Sequence, residues 1–316
     1  MKKWFFIIIS LAVSLFLAAV VIIGGVFAEM LMYPTPRSCD NDEWIREAFI
    51  HCKTPAEQGL TFEDIEFKND KGLTIRGWYM PYPEAKKTIV MLHGYNTGRV
   101  ESMRWVPALH NAGFNVLTFD FRNAGKSDSD FTSLGFFEKN DLKAAIDYLQ
   151  ANKGQERFAI FGASMGGAAG MMQMARDPRI EAGAFEGVFA DAMGLNEELI
   201  KRDFGLPFPS LFSESFRTWV KIRKGFDLKE ISPEQIIAQI APRPVLTIHC
   251  NQDNYTAFSH GLRLAKAAKE PKVFWAAECT PRRSPGTPRS SPRSTPRRSR
   301  SSRGAGSRRK TKRKRK

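Results

Sequence analysis

Phe158-Ala159-Ile160-Phe161-Gly162-Ala163-Ser164-Met165-Gly166-Gly167 is the stretch on which the reading of this chain turns. Apolar residues of strand character (158–161) meet a run of small, helix-compatible residues (166–174), and Gly-x-Ser-x-Gly stands at the junction. A strand that turns sharply into a helix pushes the middle serine outward, and side chains at the flanking positions would strike the neighbouring strand or helix. Ser164 is therefore the candidate nucleophile. The five-residue pattern is weak by itself, so its surroundings must support it.

Upstream, residues 88–92 (Thr-Ile-Val-Met-Leu) form a continuous β-rich apolar run, as expected of a strand buried on both faces of a parallel sheet. The run ends in His93-Gly94-Tyr95-Asn96. A loop there can offer an N–H near Tyr95 which, with the N–H of Met165, makes a two-donor hole for an oxyanion. Downstream, residues 244–249 read as another buried strand and run into Cys250-Asn251-Gln252-Asp253, which makes Asp253 the candidate acid, with Glu186 or Asp191 as alternatives.

With the order serine then aspartate in hand, residues 60 to 279 resemble the α/β-hydrolase superfamily. Asp120-Phe121-Arg122-Asn123-Ala124-Gly125-Lys126-Ser127 is similar to the Asp-x-Arg-x-x-Gly-x-Ser loop of many members. Ser133-Leu134-Gly135 and residues 141–149 resemble the following segment of membrane-anchored bacterial members with a serine-aminopeptidase-like or acyl-esterase-like domain. The resemblance implies an α/β fold: a mostly parallel central sheet with helices on both faces and a helical cap insertion. It also implies a small ester, amide or peptide substrate, no cofactor and no metal. No Cys-x-x-Cys or His-x-x-His spacing points to a metal either.

The resemblance breaks after residues 272–279, which are similar to the family's eighth strand. A Gly/Ala-His and a closing helix are expected there, but the chain continues Thr280-Pro281-Arg282-Arg283-Ser284-Pro285. Residues 280–316 contain no histidine and no apolar side chain larger than Ala or Pro. They also hold 16 of the 48 Lys and Arg and no Asp or Glu, leaving 32 basic against 33 acidic residues in 1–279, so the net charge of +15 comes from this segment. Two readings follow. Either a reading-frame change has truncated the fold where its base should be, or a genuine basic arm binds polyanions. Both predict a disordered segment.

Five histidines remain. His93 is expected to shape the oxyanion loop, His51, His110 and His249 to be structural or at the surface, and His260, on the helix after Asp253, to be the remote substitute for the base. Asp120 and Arg122 are expected to tie loops together.

At the other end, Lys2-Lys3 precede 25 uncharged residues, 4–28. At about 1.5 Å per residue they suffice to cross a ~30 Å hydrocarbon core. The run exceeds a signal h-region, which favours an uncleaved anchor over 1–30, although residues 26–28 (Val-Phe-Ala) would also suit signal peptidase. The positive-inside rule then puts the N-terminus in the cytoplasm and the body outside a cell membrane crossed once.

Residues 31–59 read as a juxtamembrane linker, 60–279 as the hydrolase domain and about 191–241 as the cap. Within the cap, Ser232-Pro233-Glu234-Gln235 carries the signature of an N-cap with proline at N1. Residues 205–212 (Gly-Leu-Pro-Phe-Pro-Ser-Leu-Phe) read as a packed loop, an acyl-pocket wall or a membrane contact. Four cysteines are too few for a disulfide scaffold; Cys39 and Cys52 can pair outside the cytoplasm, while Cys250 and Cys279, at the ends of expected strands, are expected to be buried or to be artefacts of the altered reading frame.

Overall fold

The computed structural model describes residues 2–35, 37–40 and 52–279. The basic segment 280–316 and His51 lie outside the described residues.

Among the described residues, eight strands form one sheet: β1 (Glu63–Lys68), β2 (Thr74–Met80), β3 (Lys87–Leu92), β4 (Asn115–Phe119), β5 (Arg157–Ala163), β6 (Ile180–Glu186), β7 (Val245–Cys250) and β8 (Lys272–Ala277). Their order is β1-β2-β4-β3-β5-β6-β7-β8. Strand β2 pairs antiparallel with β1 and β4, and the pairs from β4 through β8 are parallel. The β1–β2 hairpin turns where Asn69 and Gly72 allow it: Asn69 N–H donates to Leu73 O, Gly72 N–H donates to Asn69 O, and Gly72 sits at φ 75°.

Alternate residues of β3 feed two cores. Val90 and Leu92 join Phe119, Ile146, Phe158 and Phe185 on one face. Ile89 and Met91 join Trp78, Met103, Val106 and Val116 on the other. That division is why the apolar run 88–92 is unbroken.

The helices are α1 (Lys2–Met32), α2 (Val106–Asn111), α3 (Glu138–Lys153), α4 (Met165–Met174), α5 (Ala192–Phe204), α6 (Pro209–Lys224), α7 (Pro233–Ile236) and α8 (Phe258–Ala267). Helix α2 is short, because residues 99–104 coil as a 3₁₀ segment first. The expected cap at Ser232 starts only the single turn of α7, and the Ser232 side chain makes no capping bond. The capping box stands instead at Asp227 and Glu230, around a 3₁₀ turn. A local signature alone does not create a helix that has no room to propagate.

Helix α1 departs most from expectation. It runs on to Met32, and residues 2–19 are exposed while Val20, Gly24, Gly25, Ala28 and Met32 are buried. The buried stripe lies on cap helix α6. A Cβ on Gly25 would stand 2.8 Å from the Trp219 ring, and Trp219 Nε1–H donates to Val21 O at 3.0 Å. Ala28 and Met32 belong to the main core. Residues 31–35, expected in a linker, are therefore fastened to the body: Thr132 N–H donates to Met32 O (2.9 Å) and Asn96 Nδ2 to Thr35 O (2.9 Å).

Candidate active site

Ser164 has φ 48° and ψ −116°, a conformation that a residue with a side chain avoids unless its surroundings enforce it. The enforcement is visible on both sides. Ser164 N–H donates to Glu186 O at the end of β6 (2.8 Å). A Cβ on Gly162 would meet Gly167 Cα at 2.6 Å, and one on Gly166 would meet His93 O at 2.5 Å. Strand, turn and helix are thus too close for side chains at either glycine, and the serine is left at the carboxyl edge of the sheet.

The loop after β3 lies beside it, since a Cβ on Gly94 would stand 3.6 Å from Ser164 Cβ. Phe121 N–H donates to His93 Nε2 (3.0 Å), so the ring carries its proton on Nδ1 and donates it to Gly94 O (2.7 Å). Buried Glu101 accepts from Gly94 N–H (2.6 Å) and Thr97 Oγ1–H (2.7 Å). Met165, the first residue of α4, contributes an N–H of the kind that a helix start leaves without an intrahelical acceptor. Tyr95, Ser164 and Met165 line one cavity. Glu101 was not anticipated, because a lone acid in a mixed loop has no sequence signature.

Asp120 and Arg122 do tie loops. Asp120 accepts from Arg99 N–H (2.7 Å), Arg99 Nε (2.9 Å) and Lys126 N–H (2.9 Å), binding the loop after β4 to the 3₁₀ segment 99–104. Arg122, fully buried, pairs with buried Asp141 at 2.7 Å.

Asp253 follows β7. Its Oδ1 accepts from Tyr255 N–H (2.8 Å) and Thr256 N–H (3.0 Å), while Oδ2 stands 3.8 Å from where a Gly187 Cβ would be, just past β6. One oxygen is fixed and the other accepts no hydrogen bond from the described residues, an arrangement able to orient an imidazole. Both alternative acids serve elsewhere. Glu186 pairs with Arg104 at 2.7 Å, and Asp191 caps α5 through Gly194 N–H (2.6 Å) and pairs with Arg263 at 2.8 Å.

No described histidine is offered to Ser164. Beyond His93, His110 Nε2 hydrogen-bonds Pro81 O and His249 Nε2 hydrogen-bonds Thr256 O. His260, the substitute considered from sequence, is buried with both nitrogens engaged. Ala190 N–H donates to its Nδ1 (3.0 Å), so Nε2 carries the proton and faces Glu198 (3.1 Å). Such a ring has no lone pair left for a serine proton. The expectation for Cys250 and Cys279 is also corrected: the parallel ends of β7 and β8 bring them together as a disulfide, with Cα atoms 5.7 Å apart. Cys39 and Cys52 form the other disulfide. Among the described residues no three His, Cys, Asp or Glu side chains converge to hold a metal ion.

The cavity over Ser164 is lined by Tyr95, Phe189, Leu195 and Leu199 of the cap, Tyr255 and, from α1, Leu31. Tyr95 Oη–H donates to Leu31 O (2.8 Å), and burial pushes the phenol well above its usual pKa, keeping it a neutral donor. Nothing in the sequence announced that the N-terminal helix supplies a wall of the site.

A mostly parallel sheet flanked by helices, with a serine on a strained strand-to-helix turn, has the α/β-hydrolase fold. The family description "alpha/beta hydrolase fold" matches this chain over residues 87–208. It is similar to the uncharacterized protein YqkD of Bacillus subtilis, 28% identical over 286 residues and covering 85% of this chain and 89% of that one. It is also similar to the α/β hydrolase domain-containing protein WAV2 of Arabidopsis thaliana, 28% identical over 68% of this chain and 70% of that one. Among solved structures, the esterase Pf2001 of Pyrococcus furiosus superposes with a TM-score of 0.60 at 22% identity, covering 79% of this chain and 90% of that one.

Proposed function

We propose that the chain is a serine hydrolase acting on an ester or amide bond, held to a membrane by α1. Ser164 attacks the carbonyl, the N–H groups of Tyr95 and Met165 hold the oxyanion, and Asp253 orients the imidazole that takes the serine proton. The observation that carries this reading is the strained backbone of Ser164, held beside the loop that presents Tyr95. Strain of this kind persists only where the surroundings over-determine it.

The imidazole itself is not among the described residues, and 280–316 contain no histidine. The chain as it stands is therefore a weak catalyst. A site of this type without its base retains only ~10³ to 10⁴-fold over water. We read the tail as the product of a reading-frame change, which resequencing of the coding DNA across residues 275–300 tests.

The long apolar helix α1 and the two disulfides support an anchored body on the oxidising side of the membrane. The deciding assay compares detergent-solubilised chain with S164A on a short aryl ester. A small excess over buffer that S164A leaves nearly unchanged is expected, because the residual catalysis of a site without its base comes from the oxyanion donors and binding. Turnover above ~1 s⁻¹ that S164A abolishes would overturn the missing base, and no excess over buffer in either protein would overturn the hydrolase.

A second reading, a binding protein whose basic tail holds a polyanion, is favoured by the 16 Lys and Arg of 280–316. It predicts affinity for DNA or anionic vesicles that falls steeply with salt and disappears when 280–316 are deleted.

A further inference from the structure

We propose that the substrate is a long-chain acyl ester resident in the bilayer, entering along the seam between α1 and α5 while the α5–α6 tip sits in the same leaflet. The inference rests on the anchored-hydrolase reading above and adds where the substrate comes from.

Depth along α1 is the first argument. If the hydrocarbon core begins at Trp4, some 30 Å at about 1.5 Å per residue ends near Gly24. Val20 is already buried at that level against Ile200 and Phe212, with Ile23, Phe27 and Leu206 packed alongside, and the Phe27 and Phe204 rings lie 4.6 Å apart. A helix docked this high cannot cross the membrane without drawing the tip of the cap to the hydrocarbon boundary.

Composition agrees with depth. Residues 204–211 carry no charge. Phe204, Phe208 and Leu211 are exposed at 53%, 66% and 45%, so the loop is not the packed one considered from sequence. Phe208 is held at φ 56° at the turn. These side chains continue the outer face of α1, where Val21, Ile22 and Val26 are also exposed. A patch of this kind at a membrane-spanning helix is matched by lipid.

The path to the serine is short and apolar. Leu31 and Phe27 are one turn apart on α1, and Leu199 and Phe204 little more on α5, so roughly 6 to 8 Å separates the cavity wall from the tip. An acyl chain following these side chains stays out of water. Hydrolysis breaks the bond between acyl carbon and alcohol oxygen; water supplies hydroxyl to the carbon and a proton to the leaving oxygen.

The test uses full-length chain in phosphatidylcholine–phosphatidylglycerol vesicles. The four native cysteines are paired, so F208C introduces one addressable thiol for an NBD label, with K71C in the β1–β2 turn as its companion. The expected result is quenching of F208C, and not K71C, by phosphatidylcholine with a mid-chain nitroxide. Quenching of F208C by aqueous iodide as strong as that of K71C overturns the proposal. In the second arm, phosphatidylcholine with a diazirine at the end of one acyl chain is photolysed. Adducts are expected on 195–199 and near Leu31, and L199W, which fills the seam, should lower them about tenfold while F208C quenching persists. Adducts confined to 2–19 overturn the route. Release of the chain by alkaline carbonate overturns the anchor and the inference together, whereas a retained chain with an aqueous Phe208 overturns the inference alone.

Discussion

Strands β3 and β8 have similar apolar sequences, yet β3 is buried from Thr88 onward while Val273 and Trp275 of β8 are 61% and 52% exposed. The difference separates two halves of the sheet. Around β3 and β5, helices cover both faces and the loops at the carboxyl edge are cross-braced by His93, Glu101 and Asp120. Around β7 and β8, the acid turn is built and pinned by the disulfide, but one face of β8 meets solvent. The half that holds Ser164 and the loop of Tyr95 is over-determined, and the half that carries Asp253 ends in a strand with one exposed face. The strained turn at Ser164 is held by contacts that do not involve β8.

The strongest way to break the comparison is to complete the weaker half. Replacing 280–316 with a Gly-His turn and an amphipathic helix that covers Val273 and Trp275 should raise ester turnover by on the order of 10⁴-fold, measured with a short aryl ester and abolished by S164A. An unchanged rate would mean that the stronger half is not the active site proposed.

Next comes a matched pair of stability changes. G166A drives a Cβ into His93 O and should lower stability by about 3 kcal/mol. W275Q, on the uncovered strand, should change it by less than ~0.5 kcal/mol. Denaturant midpoints in detergent give both, and similar losses would erase the distinction between the halves.

H260A sharpens the assignment of that ring. It leaves Ala190 N–H without its acceptor and should reduce stability by roughly 1 to 3 kcal/mol while leaving the residual ester turnover unchanged. A lost turnover in folded H260A would return His260 to the chemistry.

The smallest effect is in the hairpin at the far edge. Hydrogen bonds from Thr74 and Arg76 lower the Asp128 carboxyl from 3.8 to about 2. A depressed carboxylate contributes stability above its unfolded pKa and loses it as pH falls through the folded value, here between about 4 and 2. Amide exchange of β1 and β2 should quicken across that window, and D128N should remove the pH dependence.

Much of this arrangement is legible in the chain. The apolar runs that became β3, β5 and β7 lie within a residue or two of their expected limits, because strands buried on both faces leave unbroken apolar sequence. Gly162, Ser164 and Gly166 are readable because a sharp turn excludes Cβ atoms at fixed offsets. Glu101 and the pairing of Cys250 with Cys279 are not, since each depends on a partner that distant chain brings close.

The sequence by itself thus determined which segments are buried, which serine is strained and that residues 280–316 lack a histidine. Only the tertiary structure decided that α1 is also a wall of the site, that His260 is occupied by Ala190 and Glu198, and that the 204–211 tip faces outward. The physical reason is range. Periodicity and steric exclusion act between neighbours in the chain and leave local patterns, whereas helix docking and hydrogen-bond partnership act between surfaces whose meeting no local pattern encodes.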